Sequence, residues 1–153
     1  MGKDISRSTG PRIPLVDRTN WQADHHYKYG AKNHTHDVDM FIEHKSGEIA
    51  GLVEFKNPGE PIELYKYGQF VNLANKAEIP AYICVGFEES KSYYIIPLND
   101  LCKKIPTMSK PRVLSEVSYI KFLHYIKKMN APAELLVGKN NKVPSNLPLP
   151  NVR

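Results

Sequence analysis

A chain of 153 residues, 41% of them hydrophobic, has material for one core and too little for two ordinary domains. Twenty-one lysines and arginines against 16 aspartates and glutamates leave a net charge of +5, a balance that favours a polyanionic partner. Two cysteines without paired spacing exclude a zinc cluster or disulfide framework, no apolar run approaches the roughly 20 residues that cross a bilayer, and the first ten residues are too polar for a signal peptide, so a soluble, cytoplasmic protein with no membrane partner is expected.

Residues 1–16, with Gly2, Gly10, Pro11 and Pro14 among scattered charge, show no periodicity and read as an N-terminal arm. The mixed polar and aromatic stretch 17–32 is compatible with a short helix ending near Gly30. The clearest pattern follows. Val38, Met40 and Ile42 alternate with Asp39, Phe41 and Glu43, Lys45-Ser46-Gly47-Glu48 turns the chain, and a second strand covers 49–56 before Asn57-Pro58-Gly59 stops it.

Tyr67, Phe70, Val71, Ala74 and Ala77 then fall at helical spacing, which predicts a helix over 63–78 ending before Pro80. The apolar run 81–87 suits a strand buried on both faces, with a neighbour over 93–98. A last helix is expected over 115–129, with Ser115 as its N-cap and Val117, Ile120, Phe122, Leu123 and Ile126 on its buried side. From 131 to 153 the chain is rich in Pro, Asn and Lys and reads as an extended tail, leaving 17–130 as the folded domain. Together these elements predict an α/β fold, one mixed sheet of about four to five strands flanked by helices.

A two-residue turn at Ser46-Gly47 sets Asp39 opposite Glu54 and Asp37 opposite Lys56. Alternation then gathers Asp39, Glu54 and Lys56 on one face of the ribbon, and Val38, Met40, Ile42, Val53 and Phe55 on the other. Opposed carboxylates lie about 5 Å apart at Cβ and repel unless a cation joins them. Two carboxylates with open positions suit Mg²⁺, with Mn²⁺ as its substitute. Lys56 could orient or deprotonate an attacking water, or stabilise charge developing on phosphate. The tripeptide Glu-Phe-Lys alone is also an ordinary surface charge pair, so the weight rests on the acid opposite and the flanking apolar pattern.

Val38-Asp39-Met40-Phe41-Ile42, a hairpin, and Val53-Glu54-Phe55-Lys56 resemble the two-strand site of the PD-(D/E)XK nuclease superfamily. The resemblance extends over residues 17–129, because a helix with Gln69 and the strand 81–87 follow in the order of that superfamily's core. It implies a restriction-endonuclease-like fold and Mg²⁺-dependent cleavage of phosphodiester bonds in DNA. Asp39 and Glu54 would bind metal, the Phe55 carbonyl would add a ligand, Lys56 would serve the nucleophilic water, and Gln69 would shape the site or hold the lysine. Val38 stands where the superfamily often has proline, and no firm acid marks a first helix; Asp24 and His25 are the candidates for that place.

Other signals carry less. Strand parity sets His36 opposite to Asp39, so His34, His36, Asp37 and Asp39 do not form one strand-borne metal site. His25, His26 and His44 lack a serine or cysteine partner for acyl transfer, and no glycine-rich phosphate loop is present. Lys28, Lys32, Lys45, Lys66, Lys76, Lys103, Lys104, Lys110 and Arg112 offer phosphate contacts, and Tyr27, Tyr29, Tyr65 and Tyr67 could stack on exposed bases. The alternatives to an endodeoxyribonuclease are a non-catalytic DNA-binding or assembly module and a nuclease acting on structured RNA. A homodimer is plausible where two strands are to be cut.

Overall fold

The computed structural model describes residues 38–153, which form one compact unit. The arm over 1–16, the helix over 17–32, and the candidates Asp24, His25, His34, His36 and Asp37 lie outside the described residues.

Five strands make a single mixed sheet in the order β1 (Met40–Glu43), β2 (Ile49–Lys56), β3 (Ala81–Phe87), β4 (Ser92–Pro97) and β5 (Arg112–Ser115). Only β2 and β3 run parallel; every other neighbouring pair is antiparallel. That parallel pair needs a crossover, supplied by a 3-10 turn over Leu64–Tyr67 and helix α1 (Gly68–Lys76). Helix α2 (Glu116–Ile126) follows β5 directly, and the single turn α3 (Ala133–Leu136) comes after it. The chain is therefore α/β, with the sheet as its middle layer.

Alternation along β3 assigns the two faces. Tyr82 and Cys84 point to the α2 side, where Ile42, Val53 and Ile95 pack with Tyr119, Phe122 and Ile126. Ile83 and Val85 point to the other side, beneath Ile62 and Tyr67. Leu52 and Ala81 share that side with Ala74 of α1 and Ile79. Gly51 lets α2 come close: a Cβ there would stand 3.3 Å from Ile126 Cγ2.

The helix termini explain where the chain turns. Ser115 accepts the amide of Ser118 at 3.2 Å, the N-cap its type predicts. Helix α1 ends in a Schellman closure, Ile79 N–H to Ala74 O and Glu78 N–H to Asn75 O, with Glu78 left-handed at φ 58°. Ala77 is consequently the C-cap and exposed, not part of the buried stripe. Beyond the helical turn α3 the C-terminal segment has no further helix, and its end is laced to the domain. Val152 bridges Ile62 in parallel, Arg153 N–H donates to Ile62 O, and Leu147 packs beside Ile62.

β5 was not expected from the sequence, because Arg-Val-Leu-Ser is short and runs straight into the cap of α2. Among the described residues no helix is long and apolar enough to cross a membrane.

Candidate active site

The hairpin carrying the candidate residues closes differently from the expected two-residue turn. His44 N–H donates to Glu48 O and Gly47 N–H to His44 O, so Lys45, Ser46 and Gly47 form a three-residue loop. Gly47 takes φ 91°, a left-handed conformation that a side chain would resist. This loop shifts the pairing by one residue, to Glu43 with Ile49. Ala50 then bulges out of β2, and Ile42 meets Gly51, Phe41 meets Leu52 and Met40 meets Val53. The loop and bulge cancel, so Met40 meets Val53 as the two-residue turn predicted, and the ladder ends there.

Pairing with β3 fixes the faces of β2. Glu54 lies beside Ile83 and Lys56 beside Val85, so both carboxylate and ammonium belong to the α1 side of the sheet. Phe55 lies beside Cys84, on the α2 side, yet it is 42% exposed. Phe55 is not the core residue that alternation implied.

Asp39 precedes β1, at a bend where alternation breaks. Val38 packs with Leu52 and Ala81 on the α1 side, whereas Met40 packs on the α2 side, so Val38 does not share a face with Met40 and Ile42. The bend swings the Asp39 carboxylate into the ladder, where Oδ2 accepts the Phe55 amide at 2.9 Å. Leu52 N–H bonds to Pro80 O, on the β3 side. By strand parity the amide and carbonyl of residue 54 also face β3, and those of Phe55 face the β1 edge. The Phe55 carbonyl thus emerges on the edge occupied by Asp39.

Two carboxylates and a backbone carbonyl on adjacent positions are hard oxygen donors that fit a small divalent cation with coordination positions left for water and phosphate. Among the described residues no group of three or more His, Cys, Asp or Glu is gathered to hold a metal. Any such ion would therefore depend on that carbonyl and on water or substrate oxygens.

Lys56 is half-buried, with Nζ 5.9 Å from the centroid of the buried Tyr67 ring. Gln69, expected to help hold the lysine, is exposed on α1 and makes no side-chain hydrogen bond among the described residues. Tyr67 belongs to the 3-10 turn before α1 and not to the helix stripe, and its place at the crossover following Lys56 is the sequence signal for a second role.

The wider surface is less concentrated in charge than its lysine count suggests. Lys66 pairs with Glu63 at 3.2 Å, Lys103 with Asp100 at 3.2 Å and Lys139 with Glu116 at 3.1 Å. The hydroxyl of Tyr65, then the ammonium of Lys66, hold the Glu63 carboxyl below its usual range. Tyr65 is 78% exposed, but Tyr67 is too buried to stack on a base.

A cavity of about 670 Å³ opens at the other end of β2, between the hairpin loop and the ends of α1 and α2. Its glutamates, Glu48 and Glu78, stand among His44, Lys104 and Lys128 over an apolar floor. It offers no opposed carboxylate pair on neighbouring strands. Comparison of the chain with family models, curated proteins and solved structures returned no match.

Proposed function

We propose that this chain is a Mg²⁺-dependent endonuclease of the PD-(D/E)XK type that hydrolyses phosphodiester bonds in DNA through Asp39, Glu54 and Lys56. The observation that carries this reading is the hydrogen bond from the Phe55 amide to Asp39 Oδ2. It holds one carboxylate against the strand that bears Glu54 and Lys56, on the edge from which the Phe55 carbonyl emerges.

Asp39, Glu54 and the Phe55 carbonyl would hold the cation. When bound, it would lower the pKa of a coordinated water and polarise the phosphoryl group. Asp39 is restricted to one geometry by its bond to the backbone, so its remaining oxygen is pre-oriented. The Lys56 ammonium, one residue beyond that carbonyl, orients the attacking water or neutralises charge building on the phosphate oxygens. A net charge of +5 draws the polyanion in at long range. The superfamily resemblance supplies the preference for DNA, and competition between labelled DNA and RNA tests it.

The deciding experiment compares plasmid cleavage with Mg²⁺, with Mn²⁺ and with chelator, using wild type and folded Asp39→Asn and Lys56→Ala proteins. Cleavage that needs the metal and fails in both variants supports the assignment. Undiminished cutting by both variants overturns it.

A further inference from the structure

We infer that Tyr67, rather than Gln69, is the positioning residue for Lys56, its ring face holding the lysine head at the reactive edge; this rests on the nuclease reading of Lys56. Tyr67 closes the 3-10 turn that leads from β2 into α1, and its ring is clamped among Ile62, Ile83 and Val85. Lys56 lies on the same side of the sheet, beside Val85, which brings Nζ to 5.9 Å from the ring centroid. That distance is within the range over which an aromatic quadrupole attracts an ammonium.

The Tyr67 ring face is the contact that holds the Lys56 head on this side of the sheet. A carboxylate would hold the head by cancelling its charge and occupying its donors. An aromatic face attracts the ammonium while leaving its charge and the N–H groups on the far side for phosphate or water. Gln69 does not compete for this role: its side chain is exposed on α1 and makes no hydrogen bond among the described residues.

The test replaces Tyr67 by Phe and then by phenylalanines bearing one, two and three ring fluorines, which preserve shape while draining the ring's negative face. Two readouts are followed alongside thermal stability: the Lys56 ε-methylene proton shifts, and kcat against KM for Mg²⁺-dependent cleavage. Tyr67→Phe is expected to match wild type. Ring-shifted ε-protons in wild type, and a stepwise fall in kcat to about 2- to 30-fold with KM and stability unchanged, support the inference. Unshifted ε-protons in wild type, or kcat flat across the series, overturn it while leaving the nuclease reading intact. A wild-type protein that shows the ring shift but cleaves no DNA overturns the nuclease reading itself, and with it Tyr67's part in a reaction.

Discussion

The Phe55 amide donates to Asp39 Oδ2 at 2.9 Å, so one side chain completes the ladder that β1 leaves unfinished. An asparagine at this position keeps an oxygen acceptor for that amide and gives up only the charge. Asp39→Asn is therefore expected to unfold in urea as wild type does while losing Mg²⁺ binding by calorimetry. Asp39→Ala forfeits the bond as well, at a cost of about 1 kcal/mol. Lys56→Ala should slow cleavage by roughly 10²–10⁴-fold while Mg²⁺ affinity stays. Equal Mg²⁺ affinity in Asp39→Asn and wild type would remove Asp39 from the metal shell.

Asn99 stitches the entry to β3 around Pro80, which has no amide of its own. Its Nδ2 donates to Ile79 O at 2.9 Å and to Asn75 Oδ1 at 3.0 Å, while its Oδ1 accepts the Ala81 amide at 3.1 Å. Alanine at 99 would strand a carbonyl and an amide at a buried strand start. The expected loss is about 1–3 kcal/mol, read as a lower urea midpoint with unchanged slope. Because β3 lies between β2 and β4 at the sheet centre, amide exchange in β3 should accelerate most. A midpoint within error of wild type would show that water replaces all three bonds.

The register of the hairpin was legible from Val38–Lys56 because apolar alternation, not the turn, decides which residues face the core. The loop is one residue longer than expected, and the bulge at Ala50 restores the expected pairing as far as Met40 with Val53. What could not be read was the bend at Asp39. Alternation extrapolated through it puts Val38 on the wrong face and gives no hint that the carboxylate enters the ladder. The exposure of Gln69 on α1 was hidden for a related reason. A 3-10 turn precedes α1, and a stripe read at one helical period does not fix which residue meets the strand at such a change of pitch. The C-terminal prolines gave no sign of the helical turn at Ala133–Leu136, and nothing in their composition reveals the pairing of Val152 with Ile62.

Both long helices close with a charged residue in the left-handed region, Glu78 at φ 58° after α1 and Lys128 at φ 57° after α2. Glycine occupies this place at no steric cost, although its unfolded chain is freer. Glu78→Gly and Lys128→Gly are each expected to stabilise by a few tenths to about 1 kcal/mol, a rise in Tm of about 1–4 °C. Calorimetry of the single variants checks this. Alanine at either position keeps the strain and should give no gain, so a stabilisation by alanine equal to that by glycine would refute the backbone explanation.

Cys84 is enclosed at the centre of the sheet, and burial pushes its thiol from the ordinary 9.0 up to about 12, with the Tyr119 hydroxyl opposing only in part. Burial raises the phenols of Tyr82 and Tyr119 in the same direction. A raised folded-state value means that the unfolded chain releases its proton first. Stability is therefore complete below pH 9.0 and is lost as the pH climbs towards 12. Unfolding free energies in urea should fall steadily above pH 9, and Cys84→Ala should fall less steeply while starting lower because of the vacated volume. A thiol reagent at pH 8 should find neither Cys84 nor Cys102 in the native protein and both after unfolding, since both are free and buried. Native Cys84 reacting as fast as it does in urea would contradict the burial on which this alkaline limit depends.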